Sequence, residues 1–229
     1  MNVANTQKPS MKFKSAAAFT KLDMMIVVGT LVMLAVLLVY LRPRAVRPRA
    51  ARINCVSQLK QVGLGFTMWA NDHGDRFPWA VPMAEGGTKE FAHLSNATLH
   101  YAVASNELIS PKILTCTGDK KRIRTHSWTA PLHKSLSYFA SLSTIEPHTV
   151  ALLAGDRHVS TNSSTMAGLL TVEDTKPLRW TKELHEGRGE GNVCFADGSV
   201  RQLSTSDLRK SFDAALEAFT NQPVRLVIP

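Results

Sequence analysis

Cysteine is scarce in this chain, and the short motifs of the common enzyme classes are missing. Three cysteines in 229 residues are too few for a disulfide-built miniprotein and exclude a zinc site made of cysteines alone. Eight histidines are scattered, with no HExxH, HxH or CxxC spacing among them, so no metal and no cofactor is expected. There is no GxSxG nucleophile elbow and neither GxGxxG nor GxxxxGK[ST], which removes the usual hydrolase and phosphate-loop signals. The run Asn71-Asp72-His73-Gly74-Asp75 lacks the alternating acids and distal Glu of a calcium loop and reads as a helix-ending turn. The expectation is a non-enzymatic protein.

Acidic residues are nearly missing from the first part of the chain. Residues 1–52 hold nine Lys and Arg against one acid, Asp23, and residues 53–229 hold 18 against 17. The formal charge of +9 therefore belongs mostly to the N-terminus. The remainder is a nearly neutral body, long enough to bury a real core. Such a body does not support a nucleic-acid partner. The basic run Lys120-Lys121-Arg122-Ile123-Arg124, with Trp128 nearby, reads as a solvated loop.

Charge of either sign is absent from Met24 to Leu41, an 18-residue run. At about 1.5 Å per residue it spans roughly 27 Å, close to the ~30 Å hydrocarbon core of a bilayer. It shows no polar face, as a soluble amphipathic helix would. It runs into Tyr40-Leu41-Arg42-Pro43 rather than into small residues of a cleavage site. A retained transmembrane helix over 19–41 is expected, with the bilayer as its partner. Four lysines (8, 12, 14, 21) precede it and five arginines (42, 44, 47, 49, 52) follow it. That balance taken alone favours a cytoplasmic head. Pro43 and Pro48 predict a kink or break in an Arg/Pro-rich juxtamembrane segment, 42–52.

The residues ahead of the run are Lys12-Phe13-Lys14-Ser15-Ala16-Ala17-Ala18-Phe19-Thr20-Lys21-Leu22-Asp23. A basic leader, a small residue, Phe-Thr, and an acid five positions on: this resembles the type IV prepilin signal of pilins and type II secretion pseudopilins. The resemblance implies a leader, 1–18, cut after Ala18 on the cytoplasmic side by a prepilin peptidase. It also implies methylation of Phe19 and retention of the helix as anchor and filament core. Asp23 would then meet the N-terminal amine of a neighbouring pilin-like subunit, since a carboxylate in hydrocarbon needs a partner. The implied location is a bacterial inner membrane, single-pass, with the head outside the cytoplasm. Ala18 stands where the family usually has Gly, Lys21 where it has Leu, and Asp23 where it has Glu. An uncleaved, signal-anchored binding protein that does not polymerise is the alternative.

Beyond the anchor, a pilin-like head is expected over 53–229. Helix should resume near Ala50, with Ile53, Val56, Leu59, Val62, Phe66 and Trp69 on one stripe. Gly63 and Gly65 weaken it unless they serve close packing. Residues 95–108 read as helix with Leu99, Val103 and Leu108 inward. Strands are expected at Ile113–Cys116, Leu136–Leu142, Val150–Ala154 and Leu169–Val172. A helix begins at Ser204-Thr205-Ser206-Asp207, and Val224–Ile228 reads as an edge strand. The sum is α+β: a long N-terminal membrane-anchored helix leading into a head with an antiparallel sheet and short helices.

Two further segments, Arg52 to Gln61 and Asn71 to Pro78, resemble bacterial prepilin-like proteins that carry a C-terminal H-X9-DG element. Its counterparts here are His185, Gly187, Gly191-Asn192-Val193, Phe195 and Asp197-Gly198, with eleven residues rather than nine between His185 and Asp197. Independently, the alternation around Val193 and Phe195 predicts a β-hairpin with Asp197-Gly198 as a two-residue turn. Asp197 is then a turn residue before anything else. Cys55 and Cys116 fall on family-like segments; a disulfide between them and a pair of buried thiols both remain open. Cys194 reads as a small core residue.

Overall fold

The computed structural model describes residues 20–40, 46–146, 151–161, 167–185, 189–219 and 222–229. The expected leader, its cut between Ala18 and Phe19, the junction around Pro43, and Gly187 lie outside them. The chain divides into two units, with the boundary between Arg44 and Ala45.

The first unit contains one described helix, α1 (Lys21–Tyr40), with no buried residue. It is long and apolar enough to cross a bilayer. Its start is a capping box. The Thr20 amide and hydroxyl donate to the Asp23 carboxylate at 3.1 and 2.7 Å, and the Asp23 amide donates back to the Thr20 hydroxyl at 3.3 Å. Two orphan helix donors are thereby satisfied from within the helix.

The second unit is the head. Helix α2 spans Val46–Asn71, starting four residues before the expected Ala50. Pro48 lies in its first turn, where a missing N–H costs no helical bond. Two short helices follow, α3 (Ala97–Val103) and α4 (Ser105–Leu108), then strands β1 (Tyr138–Ser141), β2 (Leu152–Asp156) and β3 (Val159–Ser160). Next come β4 (Gly168–Val172), β5 (Arg179–Trp180), β6 (Glu190–Phe195) and β7 (Val200–Ser204). Helix α5 (Thr205–Ala218) and strand β8 (Val224–Ile228) complete the order. The fold is α+β. Six strands form an antiparallel sheet in the order β4-β8-β1-β2-β6-β7, and β3 pairs with β5 in a small second sheet.

Both faces of the six-stranded sheet are covered, and the two-residue period sorts its side chains between them. Tyr138, Ala140, Cys194 and Val227 join Cys55, Leu59, Val62 and Phe66 of α2 in one core. Phe139, Val193, Phe195, Leu226 and Ile228 join Leu208 and Phe212 of α5 in the other. At Gly63 a Cβ would stand 2.4 Å from the Cys194 sulfur, so the glycine is what lets α2 settle onto β6. Cys194 is a buried free cysteine. A disulfide joins Cys55 to Cys116, 61 residues apart.

Several expected elements differ. The inward stripe of α2 runs through Cys55, Leu59, Val62, Phe66 and Ala70, while Ile53 is 68% exposed. Residues 95–108 break at Ala104 into two helices, and the buried positions are Ala97, His100, Tyr101, Ala104 and Leu108. Leu99 and Val103 are only half-buried. Ile113–Cys116 is no strand: Pro111–Leu114 is a 3-10 turn with proline at its start and Ser110 capping the Lys112 amide. β8 is not an edge strand, because it pairs with β4 on one side and β1 on the other.

Candidate functional site

Asp156 ends β2 with no solvent exposure, and a buried carboxylate needs donors. One oxygen takes three: His185 Nε2 at 2.7 Å, the Asn192 amide at 2.6 Å and Asn192 Nδ2 at 3.0 Å. The other oxygen has no partner. The antiparallel pairing of β2 with β6 brings Asn192 across to Asp156. His185 comes from the loop before β6 with φ of +51°, a left-handed conformation uncommon for a residue with a Cβ. His158, fully buried, packs its ring 5.7 Å from that of His185 and 4.7 Å from Trp180, and its Nε2 lies 3.1 Å from the Glu190 carbonyl. Burial pushes its imidazole down to about 4.

The next residue, Arg157, faces a second network. Its Nε and Nη2 donate to the two oxygens of Asp119 at 2.7 and 3.0 Å, and Nη1 reaches Glu183 at 3.2 Å. Ser137 and the Lys121 amide also donate to Asp119. Burial alone would raise the Asp119 carboxyl. The hydrogen bonds and charge of Arg157, with those two donors, outweigh it and hold the group below the usual carboxylate value.

The residues that resemble an H-X9-DG element therefore part company. His185 and Asn192 meet at Asp156. Asp197 and Gly198 sit at the tip of the β6–β7 hairpin, where the Asp197 carboxylate accepts the Ser199 amide at 2.8 Å. The hairpin loop has three residues, Ala196 to Gly198, not the expected two. Gly198 donates to the Phe195 carbonyl and Phe195 to the Ser199 carbonyl. Gly198 takes φ of +79°, as the third residue of such a loop requires.

Cys116, Asp156 and His185 bring three ligand-type atoms within 4.8 Å of one another. The Cys116 sulfur is bonded to Cys55, and the remaining two groups are hydrogen-bonded to each other. The His185 and Asp156 side chains are 2% and 0% exposed, so a substrate does not reach the pair in this conformation. The arrangement is suited to locking β2, β6 and the 185 loop together. Asp23, by contrast, lies in the other unit and is bonded to Thr20.

Asp119 was not singled out from the sequence, and Asp156 and Arg157 stood there only in a loose family-like match, Gly155-Asp156-Arg157; the local signal for those two was the polar run Asp156-Arg157-His158 soon after the apolar Leu152–Ala154. No family model, curated protein or solved structure matches this chain.

Proposed function

We propose that this chain is a prepilin-like subunit, non-enzymatic, held in a bacterial inner membrane by α1 with its head outside the cytoplasm. In this reading a prepilin peptidase cuts after Ala18, Phe19 is methylated, and α1 packs with other pilin-like subunits in a type II secretion or type IV pilus-like machine. The observation that carries it is α1 itself: apolar on all sides, with its only acid, Asp23, in the first turn. The capping box begins at Thr20, one residue past the proposed mature start, so a cut there leaves the helix N-terminus intact. The Cys55–Cys116 bridge supports an oxidising compartment for the head, since stable disulfides belong to such places.

The alternative, an uncleaved signal-anchored protein that does not polymerise, has one observation in its favour. Asp23 already has donors in its own helix, which lessens its need for a neighbour's amine. Mass spectrometry of the N-terminal peptide, from protein extracted from membranes, separates the two readings. A start at Phe19, heavier by one methyl group, is expected for the subunit. An intact start at Met1 or Asn2 overturns it and leaves the signal-anchored reading.

A further inference from the structure

One short segment of the head concentrates basic residues, with no acid close after it. The Cys55–Cys116 bridge and the bond from Thr117 Oγ1 to the Ala51 carbonyl, 2.8 Å, fix the segment after Cys116 against the first turns of α2. In the sequence, that end of α2 follows α1 after residues 41–45. The fixed segment continues as Asp119-Lys120-Lys121-Arg122-Ile123-Arg124, and no acid occurs from Lys120 to Ile145.

Three acids at this end, among the described residues, are already engaged. Asp119 is held by Arg157, Glu183 by Arg157 and Lys121, and Glu190 by Arg52 and Gln202. Lys120 and Arg124 are exposed and make no ion pair among the described residues. The Lys121 side chain is 66% exposed despite its contact with Glu183. Gathering like charges opposes compactness, so an excess of this kind fits an anionic partner. Ammonium and guanidinium groups suit phosphate oxygens.

Position selects the phosphate, and this step rests on the reading of α1 as a membrane span. If α1 spans a bilayer, the start of α2 follows it in the sequence after only residues 41–45, so chain length limits how far the segment fixed to that start can move from the leaflet. The field of an anionic leaflet attracts basic segments and fades within about a Debye length, so this end is the one in range. Nucleic acid fits less well, because single strands bind by stacking on aromatic rings. Trp128, the one tryptophan near the segment, is half-buried with its Nε1 donated to the Ile109 carbonyl at 3.3 Å.

We propose that Lys120, Lys121 and Arg124 form a basic collar that binds anionic lipid headgroups and seats the head on the leaflet. The test uses the full chain in phosphatidylcholine vesicles with and without phosphatidylglycerol. Hydrogen exchange of the 118–125 segment is followed in both. Exchange several-fold slower with phosphatidylglycerol, reversed by high salt and absent in the K120Q/R124Q double variant, is expected. Both side chains are exposed, so the variant should fold, and its unfolding midpoint checks this. Equal exchange in the two vesicles, with the chain floating in both, overturns the collar and leaves the span standing. Failure to float with either vesicle overturns the span and the collar with it. Stronger protection by a single-stranded oligonucleotide than by phosphatidylglycerol overturns the lipid assignment in favour of nucleic acid.

Discussion

A carboxylate shut away from water holds its place through its donors, and Asp156 depends on His185 and Asn192 for all three of its bonds. Replacing it with alanine leaves those donors unpaired in a dry site, at about 1–3 kcal/mol each. Asp156→Ala should therefore lower stability by roughly 3–5 kcal/mol, in line with breaking other buried polar networks. Urea unfolding measures this, and a loss below about 1 kcal/mol would refute the locking role. The sequence made two members of this cluster legible, because His185 and Asn192 fall where the chain resembles an H-X9-DG element. It did not make their contact with Asp156 legible. Asp156 is 29 and 36 residues away from them, and only the pairing of β2 with β6 brings the three together. Asp197 was legible as a turn residue, since Asp-Gly chemistry is local; the length of its loop was not.

At the scale of elements, α2 is the spine of the head, and the bridge at Cys55 fixes the chain after Cys116 to it. The loop between them spans 61 residues, so the chain-entropy model gives roughly 4 kcal/mol as the upper bound of its effect. The double variant Cys55→Ser with Cys116→Ser should lose about 2–4 kcal/mol. A reductant should bring the wild type down to the variant's unfolding midpoint and leave the variant unchanged. If reductant lowers both equally, the bridge is not the group responding. The existence of α2 could be read from apolar spacing, but its rotation could not. Ile53 and Val56 lie on a plausible stripe with Leu59, and the actual seam is chosen by Cys55 and by the glycine at 63. The strand expected at Ile113–Cys116 failed for a local reason: Pro111 and Ser110 set up a turn that outweighs the β propensity of the apolar residues after them.

For the molecule as a whole, the buried histidines set an acid limit. Burial holds the His100 and His158 imidazoles down to about 4, against about 6.5 in an unfolded chain. Between those values the unfolded state binds protons that the folded state refuses. Stability is therefore full above about pH 6.5 and falls as pH drops toward 4, by on the order of 3 kcal/mol per histidine. Asp119, held low by Arg157, acts in the same direction at still lower pH, as its carboxylate protonates. Urea midpoints measured from pH 7 to pH 4.5 should fall steadily; a flat series would sink this account. The α+β class was legible from the order of apolar periods. Strand order was not, because it depends on which distant segments pair.

One such pairing bears on how the protein is made. β8 is last in chain order yet lies between β4 and β1. Synthesis and any passage through a translocation channel must deliver residue 228 before the six-stranded sheet exists. Until then β1 and β4 each present a bare ladder edge, and β1, β2, β6 and β7 can assemble only as a partial sheet. A head built in this way lacks its full sheet until β8 is available, and the partial sheet with its bare edges is the state that chaperones and proteases would meet.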